Sequence, residues 1–172
     1  ARVAIGVLAS RERVAMMLNT KPEKLGFLLK DSVTNPIAPV TVSKDKAVCQ
    51  EVVHYATDPG FDIRKLVPAP TNTAEDAGPY ITMGMCYASD PENGDTDITI
   101  HRLCLQSKDE ISMYFVPGGR HLTVFREKAE AAGKPLPISI SIGVDPAIEI
   151  GSCFEPPTTP LGFDELSVAG AL

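Results

Sequence analysis

YITMGMCYA at residues 80–88 and DITIHRLCLQ at residues 97–106 determine the fold class, because both runs have the length and apolar content of β-strands. DPENGD at residues 90–95 lies between them and is dense in turn-forming residue types. A second polar turn at residues 107–110 leads into ISMYFV at residues 111–116. Three strands joined by such turns predict an antiparallel meander.

Helical patterns lie on both sides of the meander. The spacing of apolar residues and the capping residues predict helices over residues 10–19, 21–31, 121–132 and 145–154 and after Asp164, with caps at Ser10, Gly133, Asp145 and Asp164 and a first-turn proline at Pro146. Further predictions are strands over residues 2–8 and 136–143, and a long loop over 58–79 with a helical turn at 63–66. Residues 37–54 are predicted to form an extended segment, a polar turn at SKDK (43–46) and an apolar run. This mixed order indicates an α+β fold, and 172 residues suffice for one domain with its own core.

The charge and composition exclude several functional classes. A formal net charge of -6 and the absence of a basic stripe argue against a nucleic-acid-binding protein. No apolar run approaches the ~20 residues that span a bilayer, and ARVAIGVLAS at residues 1–10 lacks the pattern of a secretory signal. We therefore expect a soluble, cytoplasmic protein that does not contact membranes.

The four cysteines and the two ends of the chain give two further expectations. Cys49, Cys86, Cys104 and Cys153 form no CxxC pair, so we expect reduced thiols with structural roles rather than a zinc site. The sequence begins at Ala1 within a strand-like run and stops at Leu172 within an apolar pattern. We expect from these ends that the chain is a piece of a longer protein.

Arg102 is the most unusual residue of the meander, because it lies within an otherwise apolar strand. Burying a guanidinium costs several kcal/mol unless it is paired. Two interpretations remain open from the residues alone. Arg102 is either a strand-edge residue bonded to a nearby carboxylate, or a clamp for the carboxylate or phosphate of a ligand.

Three further residues could bind a cation together, although they have no local metal-ligand spacing. His121 opens a helix after PGGR at residues 117–120, and Glu165 lies in the first turn of another helix. The structural alternatives are a capping or surface role for His121 and interaction with the helix dipole for Glu165. If Asp97 joins them, two carboxylates and one imidazole favour Mg²⁺ or Mn²⁺ over zinc or copper.

The order of the motifs, rather than any single motif, carries a family resemblance. The motifs are GPYITMG (78–84), DPENG (90–94), an Asp-x4-Arg strand (97–102), GGRH (118–121), PLPISISIGVDPA (135–147) and DELSVAGAL (164–172). In this order and spacing they resemble UbiD-type decarboxylases. HRLC (101–104) and the strand DEISMYF (109–115) most resemble the members that act on phenolic acids such as hydroxybenzoates or gallate-like substrates. The resemblance is clear over residues 78–172 and looser over residues 1–77.

The resemblance implies the fold, activity and cofactors of the family's middle domain. That domain is a split β-barrel with flanking helices, similar to flavin-reductase-type FMN-binding domains, and here it would occupy residues 1–172. The family releases CO2 from aromatic or α,β-unsaturated acids with prenylated FMN, a divalent metal (usually Mn²⁺, or Mg²⁺) and K⁺. A flavin prenyltransferase supplies the cofactor, and the full-length proteins tend to be homo-oligomers.

Specific residues follow from the resemblance by position. It implies that Asp97, His121 and Glu165 hold the metal, and that Arg102 is the catalytic arginine between flavin and substrate. Asp97 replaces the family's usual Asn, and the extra charge should strengthen the dependence on cations. The residues expected to contact the cofactor are Thr82, Met83, Arg102, Arg120, His121 and Glu165. The loop Glu155–Pro160 could reach the cofactor or offer carbonyls to K⁺, and the family's proton-donating glutamates would lie downstream of this segment.

Two alternatives stay open. The same barrel could be a stand-alone flavin-binding or flavin-reducing module, which would not need the downstream glutamates. A metal-dependent structural or interaction domain is a third, non-enzymatic interpretation.

Overall fold

A four-stranded sheet is the main β-structure in the computed structural model, which describes residues 4–118 and 120–172. Its strands are β1 (Tyr80–Ser89), β2 (Thr96–Leu105), β3 (Ile111–Met113) and β4 (Ser139–Ser141), in the spatial order β3-β2-β1-β4. The pair of β1 with β4 and the pair of β2 with β3 are both antiparallel. The predicted α+β class is confirmed.

Six α-helices accompany the sheet in the described residues. They are α1 (Arg11–Met17), α2 (Leu25–Thr34), α3 (Ile63–Leu66), α4 (His121–Ala131), α5 (Pro146–Gly151) and α6 (Glu165–Ala171). The predicted N-caps are confirmed, since the side chains of Ser10, Asp145 and Asp164 each accept a hydrogen bond from a backbone N–H in the first turn of their helix. Gly133 has a positive φ of 65° just after α4, as expected for a glycine that ends a helix.

The chain divides into two compact units, and the first contains Val40–Thr82 and Arg102–Tyr114. In this unit the backbone N–H of Ile63 donates to the carbonyl of Lys108 at 2.8 Å, which ties α3 to the turn before β3. A Cβ atom at Gly78 would lie 3.2 Å from the Cys104 Sγ atom, so the chain approaches β2 closely only because residue 78 is glycine.

In the described residues, the second unit contains residues 4–39, Met83–His101 and Phe115–Leu172. Ala15, Leu18 and Leu25 form a buried cluster against which Ile150 and Leu172 pack. Helix α6 packs against α5 and α2. Gly151 permits the close approach of α5, because a Cβ atom there would lie 3.0 Å from the carbonyl oxygen of Glu165. This packing holds the first residue of α6, Glu165, close to α5.

Several predicted elements differ from the structure. Residues 4–8 of the predicted strand over 2–8 are coil and turn, whereas residues 1–3 lie outside the described part of the chain. Within residues 37–54, the polar turn predicted at SKDK (43–46) is present as the 3₁₀ turn Lys44–Lys46. The apolar run after it contains a second 3₁₀ turn, Val48–Gln50, and Val48 is 88% exposed.

Other elements are present but shorter or differently divided. The strands predicted over 111–116 and 136–143 form only as β3 and β4, which keep the residues that pair with β2 and β1. Pro135 and Pro137 cannot donate to a strand ladder, which explains the late start of β4. The helix predicted over 21–31 is a 3₁₀ turn at Pro22–Lys24 followed by α2.

Two further predictions concern the state of the cysteines and the absence of membrane-spanning segments. All four cysteines are free thiols; Cys86 and Cys104 are buried, whereas Cys49 and Cys153 are exposed. Burial raises the pKa of Cys86 to about 11, so this thiol is an inert core group. None of the helices in the described residues has the length and apolar character required to cross a membrane.

Candidate metal centre

Asp97, His121 and Glu165 meet in the second unit and form what we call the carboxylate–imidazole cluster. Each offers one ligand atom, and these atoms all lie within 4.8 Å of one another. The three residues are 3%, 2% and 1% exposed, respectively. Because charged side chains are rarely buried without a partner, such a cluster requires a physical explanation.

Each residue of the cluster lies at or next to the start of a strand or helix. Asp97 is the second residue of β2, His121 is the first residue of α4, and Glu165 is the first residue of α6. The capping interaction of Asp164 with the N–H of Leu166 sets the first turn of α6. The surface role considered for His121 is wrong, because its side chain is buried.

The His121 imidazole lies at the outer limit of hydrogen-bond distance from both carboxylates. The His121 Nδ1 atom lies 3.5 Å from Asp97 Oδ1 and 3.5 Å from Glu165 Oε1. Asp97 Oδ2, His121 Nε2 and both Glu165 carboxylate oxygens are buried and have no hydrogen-bond partner. An unsatisfied buried polar group costs about 1–3 kcal/mol, so interaction with the helix dipole alone does not account for Glu165.

The electrostatics of the cluster favour a positive ligand. Burial raises the pKa of Glu165 to about 9, and the neighbouring Asp97 carboxyl adds to this rise. Burial also raises the pKa of Asp97. The cluster without a cation therefore retains a proton at neutral pH, and a divalent cation would replace that proton and let both carboxylates ionise.

The donor set fits a hard divalent ion. Two carboxylates and one imidazole are suited to Mg²⁺ or Mn²⁺. Ligand atoms about 2.1 Å from such an ion are separated by roughly 3–4 Å in an octahedral shell, close to the spacing in the cluster. The unpaired oxygens supply lone pairs that nothing else in the described residues uses.

Arg120 and the loop Glu155–Pro160 lie beside the cluster. The Glu155 carboxylate accepts a hydrogen bond from the Thr99 hydroxyl at 2.9 Å and pairs with the Arg120 guanidinium at 3.5 Å. Glu155 also contributes to the raised pKa of Asp97. The expected contact of this loop with the cofactor or with K⁺ stays a prediction. Sequence reasoning missed Thr99, although period-two alternation from Asp97 along β2 could have identified it.

The other predicted site residues lie on β1 and β2. Arg102 is exposed, and its guanidinium carbon lies 5.6 Å from the centre of the Tyr114 ring. Stacking on an aromatic face stabilises a guanidinium while its donors remain accessible. Thr82 and Met83 are also exposed, and their contact with a cofactor stays a prediction. The GGRH motif includes Gly119, which lies outside the described residues.

Comparisons with known proteins place these observations in a family. The model of the UbiD family, described as the 3-octaprenyl-4-hydroxybenzoate carboxy-lyase Rift-related domain, matches residues 40–172. Gallate decarboxylase of Lactiplantibacillus plantarum is 54% identical over 171 residues, which cover 99% of this chain and 35% of that protein.

Solved structures agree with this match. 3,4-Dihydroxybenzoic acid decarboxylase from Enterobacter cloacae, in its apo form, is 58% identical, with a TM-score of 0.90 over 99% of this chain and 35% of that one. An evolved dimeric form of the UbiD-class enzyme HmfF from Pelotomaculum thermopropionicum, in complex with prFMN, is 38% identical, with a TM-score of 0.87 over 96% of this chain and 37% of that one. The chain spans about a third of the length of these relatives. From its sequence and its fold, the chain belongs to the UbiD family.

Proposed function

We propose that the protein is a non-oxidative decarboxylase that releases CO2 from an aromatic, phenolic acid, and that this chain holds its prenylated FMN and metal. The observation that carries the proposal is the carboxylate–imidazole cluster, whose buried oxygens lack partners, in a chain of the UbiD family. Burying unpaired carboxylates lowers the stability of a purely structural domain. In a domain that binds a cation, the same carboxylates serve as ligands.

The substrate class follows from the relatives. Gallate decarboxylase and 3,4-dihydroxybenzoic acid decarboxylase are 54% and 58% identical to this chain. We therefore favour hydroxybenzoates with adjacent hydroxyl groups over other α,β-unsaturated acids.

Within this proposal, Asp97, His121 and Glu165 hold Mn²⁺ or Mg²⁺. The metal, together with K⁺, would neutralise the cofactor phosphate and the two carboxylates. When bound, the prenylated flavin supplies the electron sink for the loss of CO2. Thr82, Met83, Arg102, Arg120, His121 and Glu165 are the residues that we assign to cofactor binding.

Arg102 is the proposed catalytic residue. Its guanidinium is exposed and can offer two parallel donors to a substrate carboxylate. The ring of Tyr114 supports the guanidinium at 5.6 Å, which limits the conformational freedom lost when the substrate binds.

The proposal also covers the domain organisation, assembly and cofactor supply of the whole protein. We propose that residues 1–172 form a middle domain of split-barrel type within a longer homo-oligomeric enzyme, and that a flavin prenyltransferase supplies its cofactor. The downstream glutamates of the family would donate the proton that replaces CO2. The cytoplasmic location stays a prediction.

The proposal is tested by expressing the full-length protein together with a flavin prenyltransferase. We expect a bound flavin with a modified UV-visible spectrum, and CO2 release from 3,4-dihydroxybenzoate and gallate that is faster than release from benzoate. A protein that binds flavin but releases no CO2 from any phenolic acid would favour the flavin-binding module. A protein without flavin and without decarboxylation would overturn the proposal.

A further inference from the structure

The Glu155 carboxylate joins two side chains that lie next to members of the carboxylate–imidazole cluster in the chain. The Thr99 hydroxyl donates a hydrogen bond to the Glu155 Oε1 atom at 2.9 Å, and the Arg120 Nη1 atom lies 3.5 Å from the same oxygen. Thr99 is buried and follows Asp97 by two residues on one face of β2. Arg120 directly precedes His121, the first residue of α4. One carboxylate oxygen therefore links β2 to the start of α4.

The backbone of Glu155 is held as firmly as its side chain. Its carbonyl accepts hydrogen bonds from the N–H groups of Thr158 and Thr159 at 3.0 and 3.3 Å, and Thr159 is fully buried. The residue is thus fixed at one end by a turn of its own loop and at the other by the hydroxyl of Thr99. A side chain restrained in this way can orient a more mobile partner.

The Arg120 guanidinium is the less restrained partner. The Arg120 side chain is 37% exposed, compared with 22% for that of Glu155. Their contact uses one nitrogen of a guanidinium that has several N–H donors, so other donors can bind an oxyanion. Helix α4 has 11 residues and begins here without a capping side chain and without an acidic residue in its first turn. Because the start of a helix favours negative charge, these features support the proposed contact of Arg120 with the cofactor.

We propose that Glu155 is a positioning residue that orients the Arg120 guanidinium toward the phosphate of the bound flavin. This inference rests on the proposed function, from which it takes the assignment of Arg120 to the cofactor. A partly exposed ion pair contributes little to the stability of a fold. The expected effect is on binding, since an arginine that is already ordered loses less conformational freedom when the ligand binds.

Two other roles for the Glu155 carboxylate predict different results. If its charge only repels the phosphate, removal of the charge strengthens flavin binding. If the carboxylate only supports the packing of its loop, its removal lowers the melting temperature and weakens flavin binding whether or not Arg120 is present. A positioning role predicts a weakening that requires Arg120.

The experiment is a double-mutant cycle on the full-length protein. Wild type, Glu155→Gln, Arg120→Ala and the double variant are titrated with FMN, which contains a flavin phosphate, in the presence of Mn²⁺. Flavin fluorescence gives the dissociation constants. Glutamine keeps the length of the side chain and an oxygen that can accept from Thr99, so mainly the charge that faces Arg120 is lost.

We expect about 3–10-fold weaker FMN binding for Glu155→Gln and roughly 10–100-fold weaker binding for Arg120→Ala. In the Arg120→Ala background, the glutamine substitution should cause no further weakening, because the residue through which Glu155 acts is gone. Glu155→Gln should melt within about 2 °C of the wild type.

Glu149→Gln is the matched control, because Glu149 is another half-buried carboxylate, on α5, and its loss should leave FMN binding unchanged. Binding by Glu155→Gln that equals or exceeds that of the wild type would overturn the inference and leave the proposed function intact. The same weakening in both backgrounds would also overturn it. If Arg120→Ala binds FMN as tightly as the wild type, the inference fails together with the assignment of Arg120. A wild-type protein that binds no FMN would overturn the proposed cofactor site and this inference together.

Discussion

Replacing Glu165 with glutamine should weaken Mn²⁺ binding by more than about 100-fold and at the same time stabilise the metal-free protein. Glutamine keeps the shape of the side chain but removes the charge that a cation would neutralise. Because burial raises the pKa of Glu165 from 4.5 to about 9, the folded protein binds a proton that the unfolded protein releases between these pH values. The stability of the metal-free wild type therefore falls as the pH rises through this window.

The variant lacks this pH dependence. At pH 7 we expect Glu165→Gln to be more stable than the metal-free wild type by on the order of 2–3 kcal/mol, and to show a smaller gain in stability when Mn²⁺ is added. Thermal unfolding between pH 5 and 9, with and without Mn²⁺, measures both effects. Asp97→Asn should act in the same direction, since burial also raises the pKa of Asp97.

Glu127→Gln is the control for the loss of a carboxylate, because Glu127 is exposed on α4. It should leave both the pH dependence and the Mn²⁺ effect unchanged. A Glu165→Gln variant that binds Mn²⁺ as tightly as wild type would show that Glu165 is not a ligand.

Replacing Arg102 with alanine should reduce decarboxylation to background, a loss of roughly 10²–10³-fold or more, and leave the flavin bound, because the other residues assigned to the cofactor are still present. The proposed role of Arg102 is to hold the substrate carboxylate and to stabilise the charge that develops as CO2 leaves. Its side chain is exposed and stacks on Tyr114, so its removal creates no cavity and should cost little stability. Single-turnover CO2 release and the flavin spectrum together separate catalysis from cofactor binding.

Arg126→Ala is a matched control. The Arg126 guanidinium stacks on Phe115 with its carbon 4.8 Å from the ring centre, as Arg102 stacks on Tyr114, but nothing assigns Arg126 to the site. This variant should keep its turnover. Equal activity of wild type and Arg102→Ala would refute the catalytic role.

Local signals in the sequence predicted much of the fold. Alternation and turn residues identify β1 and β2, and Ser10, Asp145 and Asp164 cap helices as expected. These features depend on residues that are close in sequence. The apolar run at residues 2–8 misled the prediction of a strand, because exposed and buried apolar residues look alike in a sequence; residues 4–8 are coil and turn, and Ile5 is 86% exposed.

The sequence marks Asp97, His121 and Glu165 as residue types that suit a cation, but the resemblance to a family assigned them to one metal site. The three residues are far apart in the sequence, and only tertiary packing brings their ligand atoms within 4.8 Å of one another.

The central claim is that Asp97, His121 and Glu165 hold a divalent metal. Diffraction data collected at the manganese absorption edge from crystals of the full-length protein grown with Mn²⁺ test it most directly. We predict one strong anomalous peak about 2.1–2.3 Å from an oxygen of each carboxylate and from a nitrogen of the imidazole. An anomalous map without a peak among these three side chains, in crystals that contain Mn²⁺, would contradict the account.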